Sequence, residues 1–213
     1  MSKPVIVIGG GGHAAVVIDS LRQAGATVAG LLDPALEPDS RRHGVTVLGG
    51  EEVLEQHHPE EVCLANGLGS VRSTERRAAA FKRLTALGYE FTALCHPSAV
   101  VAESAVVGPG CQVMAGAIVQ PAATLAANVL INTAASVDHD CRIGAHVHVA
   151  PGAVLSGSVT VEEQVHIGVG AVVVQGVTIG AGSLIAAGAV VSADVPEQHV
   201  ARPAKGEIGA LAT

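Results

Sequence analysis

Aromatic residues are nearly missing from this 213-residue chain, which has one Tyr, two Phe and no Trp, 1% of the total. Large rings are the usual filler of a globular core. A core built without them must be narrow, regular and made of Val, Ile, Leu and Ala. Charge is also scarce, at 15% against 49% hydrophobic residues, a balance that excludes disorder over most of the length. Lys and Arg number 12 against 19 Asp and Glu, giving a net charge of -7. Phosphate backbones are bound by clustered Lys and Arg, so no nucleic-acid partner is expected. No apolar run reaches the ~18 residues of a membrane span, and no membrane association is expected. Cys63, Cys95, Cys111 and Cys141 show no CxxC spacing, which points to neither a zinc knuckle nor a disulfide framework. The start, Met1-Ser2-Lys3-Pro4 running straight into Val5-Ile6-Val7-Ile8, lacks a signal-peptide pattern, so a cytoplasmic location is expected.

What the chain has in abundance is a repeat. Every sixth residue from Val101 to Val191 is aliphatic without a failure or an insertion, for example Val137, Ile143, Val149 and Leu155. Four residues after each stands a small or β-branched one, such as Ala135, Cys141, Ala153 or Ala171. Ordinary strands would show period two with irregular turns. A strict period of six is the hexapeptide signature of a parallel β-helix. Each hexad supplies one short strand and a corner, and three close a triangular coil of about 18 residues. The aliphatic side chain fills the prism, the small one lets the corner close, and a ring does not fit. Residues 101–191 make about five such coils. Solenoids of this kind leave flat apolar outer faces that pack against copies of themselves.

Before the repeat, strands and helices alternate. Val5–Ile8 reads as a buried strand, followed by the turn Gly9-Gly10-Gly11-Gly12-His13 and a helix from Ala14 to Ala24. Strands follow at Val28–Leu32, Val45–Leu48 and Val62–Ala65, with a helix near Glu51–Gln56. A longer helix runs from Ser70 to Leu87, capped by Ser70 or Ser73 and closed by Gly88. Phe91–Leu94 reads as a last strand before the join His96-Pro97-Ser98. The pattern predicts a Rossmann-like, doubly wound α/β domain over 1–97 and a β-helix domain with a C-terminal tail over 98–213. The glycine turn fits a pyrophosphate held on backbone N–H groups at a helix N-terminus, or equally a plain tight turn. No complete second mononucleotide half fits before residue 97, so a nucleotide is expected rather than NAD.

Taken together, Gly11-Gly12-His13, Asp33 at a strand end, Ala65-Asn66-Gly67, His96-Pro97-Ser98-Ala99 and Val137-Asp138-His139-Asp140-Cys141 resemble one family. It is the family of sugar O- and N-acetyltransferases that includes the bacillosamine-pathway and perosamine N-acetyltransferases and sialic acid O-acetyltransferases. The resemblance covers almost the whole chain. It implies a left-handed β-helix, acetyl-CoA as cosubstrate with no metal, and a homotrimer with active sites between neighbouring prisms. The activity it implies is N-acetylation of a nucleotide-linked 4-amino-4,6-dideoxy sugar, with UDP or GDP as the nucleotide, in polysaccharide or glycoprotein synthesis.

By that resemblance His139 is the general base and Asp140 its acidic partner, where a compared relative carries Glu, one methylene longer. His139 lies two positions after the inward Val137 and so points out of the prism, and a carboxylate beside it would orient the ring and stabilise the imidazolium. Gly11, Gly12 and His13 match the pyrophosphate turn, Asp33 a base- or ribose-contacting acid, and Gly67 the place where the base packs. For acetyl-CoA, His148 matches a contact near the thioester, Gly157 an amide that polarises the acetyl carbonyl, and Val169 and Ala187 the strip along pantetheine. Arg202 and Lys205, in a tail with Ala201-Arg202 where Gly-Asn is usual, are candidates for a coenzyme A phosphate. His148 and His166 should stack one coil apart, roughly 4.8 Å, while His146 and His166 read as ordinary surface residues. Two alternatives stay open: O-acetylation of a sugar such as sialic acid, and a zinc hydratase of the gamma carbonic-anhydrase type using His139, His146 and His148.

Overall fold

The computed structural model describes residues 3–203. Lys205, expected to meet coenzyme A, lies outside the described residues. The N-terminal half opens with β1 (Val5–Ile8), α1 (Gly12–Gln23), β2 (Val28–Leu32), β3 (Arg41–Arg42) and β4 (Val45–Gly49). A 3₁₀ turn (Glu51–Gln56), β5 (Cys63–Asn66) and α2 (Glu75–Ala86) complete it. The strands lie in the order β3-β4-β2-β1-β5, all parallel except the β3–β4 hairpin. Alternation along β1 sends Val5 and Val7 to the core under α1, with Val17 and Leu21. Ile6 and Ile8 go to the opposite core, with Phe81 and Leu84 of α2. A sheet buried on both faces is the doubly wound arrangement that the near-continuous hydrophobic strands imply. The strand order switches sides at β1, with β2 on one flank and β5 on the other, so the loops after β1 and β5 diverge and leave a crevice at their carboxyl ends.

The C-terminal half is a prism of two-residue strands stacked in three parallel sheets of seven, six and five. Partners are 18 residues apart throughout the repeat, as in Ser136↔Val154 and His148↔His166. The second residue of each strand points inward and is buried, from Val113 through Val137, Leu155 and Val173 to Val191. The first points outward, and its chemistry differs between faces. One face carries the row Val100, Ile118, Ser136, Val154, Val172 and Val190, of which Val100 and Val190 are more than 60% exposed. A second face is mostly polar, with Thr124, Arg142, Thr160 and Thr178 following an exposed Val106. The third carries Gln112, Leu130, His148 and His166, all buried under the α/β half. All three aromatics, Phe81, Tyr89 and Phe91, lie in the core of the α/β half and none in the prism.

Three boundaries differ from the sequence reading. Residues 94 and 95 form a strand paired with Gln112–Val113, so the first rung of the solenoid stands where a last α/β strand is predicted. Phe91 makes only an isolated bridge to Leu64. The helix predicted from Ser70 begins at Glu75, because 67–74 is an irregular loop with Arg72 at φ 70°, and Ser73 Oγ accepts the Glu75 N–H at 3.2 Å. No helix among the described residues is long and apolar enough to cross a membrane. Leu155 is fully buried in the prism. Truncation by Leu155→Ala should lower the unfolding free energy by about 2–5 kcal/mol in denaturant titration.

Candidate active site

The corner after Ser136–Val137 separates the apolar from the polar face, and it holds His139 and Asp140. Asp140 adopts φ 60°, the left-handed conformation the corner requires and that Asp tolerates better than most residues. That conformation sets its carboxylate beside the preceding side chain, and His139 Nδ1 lies 2.8 Å from Asp140 Oδ2. Hydrogen bonding to Asp140 raises the His139 pKa, with Asp138 adding in the same direction. The pair is solvent-exposed. With Nδ1–H engaged by a carboxylate, Nε2 is the nitrogen left to take a proton. One coil further on stands Gly157. A Cβ at that position would lie 2.5 Å from His139 Cε1 and 2.6 Å from Nε2, so the imidazole packs on the glycine backbone. Proline occupies the equivalent corner position at 109, 121 and 151, so the coil makes no use of that amide, and the Gly157 N–H donates to no group among the described residues.

The crevice between β1 and β5 opens onto the covered face of the prism as a cavity of about 760 Å³. It is lined by Gly12 and His13 of α1, by Gly69, Ser70 and Val71 from the loop after β5, and by Asn132, Thr133, His148 and Pro151 of the solenoid. Helix α1 begins at Gly12 with no side-chain cap and no acidic residue in its first turn, leaving its leading N–H groups for an anion. A Cβ at Gly11 or Gly12 would meet nothing within 4 Å. The fold does not demand glycine at either place, and their openness serves whatever approaches the helix end. Gly9 and Gly10 are different: added methyls there would strike Leu68 and Leu36, and Gly9 has φ 93°.

Beneath this cavity lies a buried polar layer that sequence reasoning missed. His13 Nε2 is 2.9 Å from Gln112 Oε1, which also accepts from Arg77 Nη2 at 3.2 Å. Gln112 Nε2 donates to the Asn66 carbonyl at 2.9 Å. Arg77 is fully buried with no acidic partner among the described residues; its Nη1 donates to both the Asn66 and the Leu68 carbonyls, and its Nε has no partner there. Burial lowers its pKa to about 9, so it stays cationic at neutral pH. Burial, followed by Arg77, lowers His13 to about 4. His148 contacts Ser70 Oγ at 2.5 Å through Nδ1 and Asn132 Nδ2 at 3.1 Å through Nε2. Burial, then His166 and Arg77, push its pKa far below the usual imidazole range. Gln112 and His148 occupy outward hexad positions, which period-six reading marks as surface. Only the docking of the α/β half buries them.

The remaining expected residues are placed as follows. Asp33 accepts the N–H groups of Gly10 at 2.8 Å and Ala35 at 3.0 Å, tying the glycine turn to β2, and it lines a second cavity of about 430 Å³. Gly67 is buried where a methyl would strike Val7 and the Ile8 carbonyl, so it serves the approach of the β5 loop to β1. Val169 and Ala187 are exposed and continue the corner of Thr133 and Pro151 away from the first cavity. Arg202 is exposed near the end of the stack.

His148 and His166 stack with ring centroids 4.8 Å apart. His146 and His166 are not surface residues. His146 is buried against Phe81 and Asn128, and His166 under the α/β half. Among the described residues no three His, Cys, Asp or Glu side chains are grouped to hold a metal ion. His139, His146 and His148 stand on two different corners and a face, so the ligand set of the zinc-hydratase alternative does not converge.

Replacing Gly157 with Ala should leave stability nearly unchanged, since the exposed His139 ring can swing away. Swinging breaks the contact with Asp140, and the His139 pKa should fall towards 6.5, which NMR titration of the imidazole would report.

Residues 4–81 match the family described as the PglD N-terminal domain. The acetyltransferase domain of PglB from Neisseria gonorrhoeae is 36% identical and superposes with a TM-score of 0.87 over 95% of this chain and 100% of that one. That domain is also known in complex with acetyl coenzyme A. PerB from Caulobacter crescentus, in complex with CoA and GDP-perosamine, is 38% identical with a TM-score of 0.83, covering 94% of each chain. WeeI from Acinetobacter baumannii, at 23% identity and a TM-score of 0.83, shares the fold. No curated protein matches the chain. With the PglD-type α/β domain, the hexapeptide prism and relatives above 35% identity over nearly the full length, the chain belongs to the left-handed β-helix sugar acetyltransferases and is an acyltransferase that uses acetyl-CoA.

Proposed function

We propose that the protein transfers acetyl from acetyl-CoA to the amino group of a nucleotide-linked 4-amino-4,6-dideoxy sugar, with His139 as general base. The observation that carries this reading is the His139–Asp140 pair packed on the open amide of Gly157. The amine lone pair attacks the thioester carbonyl while His139 Nε2 takes an amine proton. The Gly157 N–H donates to the oxygen as it becomes an oxyanion. Collapse expels the thiolate, which takes the proton from His139, giving the acetamido sugar and the thiol of coenzyme A. Asp140 holds the ring and stabilises the imidazolium throughout. No acyl-enzyme is required.

His139 and the first cavity lie on opposite edges of the apolar face of one chain. Six residues of chain separate these edges, at most about 20 Å, and nothing among the described residues closes that distance. The row Val100, Ile118, Val154, Val172 and Val190 gives the face a reason to be covered. A homotrimer packed on it brings the His139 edge of one subunit to the cavity edge of the next. His13, Gly11 and Gly12 then serve the nucleotide sugar, His148, Val169 and Ala187 the acetyl-CoA arm, and Asp33 the nucleoside. Relatives bind CoA and GDP-perosamine, which makes a GDP- or UDP-linked amine the first donor to try, at a cytoplasmic site of synthesis.

Thiol release from acetyl-CoA with UDP- and GDP-linked 4-amino sugars tests the reaction. His139→Ala should lower kcat by about 10²- to 10⁴-fold; full activity in that variant, or turnover only on hydroxyl acceptors, contradicts it. The base must be neutral to act, so the rate should climb with pH through the raised His139 pKa. Asp140→Asn removes the main cause of the rise, so its acidic limb should move to lower pH while the maximum rate drops. Paired substitutions Val154→Asp and Val172→Asp should convert a trimer into monomers by light scattering and abolish thiol release with it.

A further inference from the structure

Two carboxamides of the solenoid fix where the protons lie in the first cavity. The Asn66 carbonyl can only accept, so the atom of Gln112 facing it is the NH₂ group, and Oε1 must face Arg77 and His13. His13 therefore carries its proton on Nε2, and Nδ1 is a bare lone pair. Nδ1 has no partner among the described residues, yet it is not one of their sealed, unpartnered polar atoms, which are Arg77 Nε and His166 Nδ1. It is open to the cavity. The same logic applies to Asn132, whose Oδ1 accepts the Thr133 N–H at 2.8 Å, so its NH₂ donates to His148 Nε2. His148 then donates from Nδ1 to Ser70 Oγ, leaving the Ser70 O–H to point elsewhere. This polarity also excludes Ser70 as a nucleophile activated by His148, because the imidazole has no lone pair to offer it.

We infer that His13 Nδ1 as acceptor and the Ser70 hydroxyl as donor form an uncharged recognition pair for a secondary amide of the ligand, with Gln112 and Asn132 as positioning residues. A phosphate would meet a lone pair at His13 and belongs at the bare amides of α1 instead. Of the ionisable groups facing His13, the Arg77 guanidinium from α2 disfavours a second positive charge; His148 from the solenoid is itself neutral, and Glu75 and Arg76 line the same cavity with opposite charges. The amide has two sources under the acetyltransferase reading on which this ligand assignment rests: pantetheine, or an acylamino group on the sugar.

NMR of the full chain with ¹⁵N-labelled histidine tests the pair without reference to turnover. His13 should show a protonated Nε2 and a bare Nδ1, unchanged between about pH 5 and 8. Titration with pantetheine or with N-acetylglucosamine should shift that Nδ1 signal. An Nδ1–H tautomer, a His13 titrating near 6.5, or no response to either probe overturns the assignment. In kinetics, Ser70→Ala should raise one KM by about 2- to 10-fold with kcat little changed. A rise for acetyl-CoA identifies pantetheine, a rise for the nucleotide sugar identifies its acylamino group, and no change in either overturns the pairing. Gln112→Glu puts a carboxylate on Nε2, so His13 should hold a proton on Nδ1 at neutral pH. The same KM should then be elevated at low pH and recover as pH rises. A pH-independent KM in that variant would reduce Gln112 to a packing residue and overturn its positioning role.

Discussion

The inward side chain at every sixth position enters a channel that closes on itself every three strands, and that confinement governs the rest of the molecule. Only Val, Ile and Leu fill such a channel at the sixth positions, small or β-branched residues such as Ala135, Cys141, Ala153 and Val159 stand four positions later, and no ring enters. Because the inward positions are fully committed, all chemical variety is forced onto outward positions and corners. A lattice of 18-residue register then fixes where each outward residue stands relative to the next coil. His139 comes to rest on Gly157 for that reason, and His148 beneath His166.

Outward positions on the three faces meet three fates. One face is polar and stays in water. A second is a stripe of valines whose exposure is tolerable only if another surface covers it. The third receives the α/β half through Gln112, Asn128 and His146, which join Asn66 and Arg77 in a buried hydrogen-bonded layer. Burying Arg77 without a carboxylate is costly unless every donor finds an acceptor. Three carbonyl-type oxygens take three of its five N–H groups, and among the described residues Nε has no partner. The layer is polar but almost free of opposing charge, so it orients its neighbours by hydrogen-bond direction rather than by ion pairing. Removing Arg77 would loosen the seat of both Gln112 and the glycine turn above it.

Much of this was legible in the chain. The unbroken hexad fixes the prism, its inward residues and the outward direction of His139. The alternation of hydrophobic strands with helical segments locates β1, β2, β4 and β5 to within a residue or so. The rung at residues 94 and 95 was hidden because Phe91–Leu94 reads as an ordinary strand and the register of the repeat becomes strict only later. The polar layer was hidden for a deeper reason. Gln112 and His148 sit where the hexad points outward and Asn128 stands at a corner, and their burial arises from docking two domains, a long-range event with no local pattern. Asp33 and Gly67 were noticed by motif, yet their contacts tie loops together as much as they face a ligand.

Confinement leaves the candidate base on one edge of the valine face and the ligand cavity on the other, so the proposed reaction calls for a site completed by a second chain. Mixed assembly tests that most directly. Chains carrying His139→Ala are unfolded and refolded together with chains whose cavity is blocked, for example by Gly12→Trp, and thiol release is measured on the mixture. Activity well above that of either variant alone is expected, because some interfaces then pair an intact base with an intact cavity. A mixture no more active than its parents, with assembly confirmed by light scattering, would show that each chain works alone and would contradict a site built across the valine face.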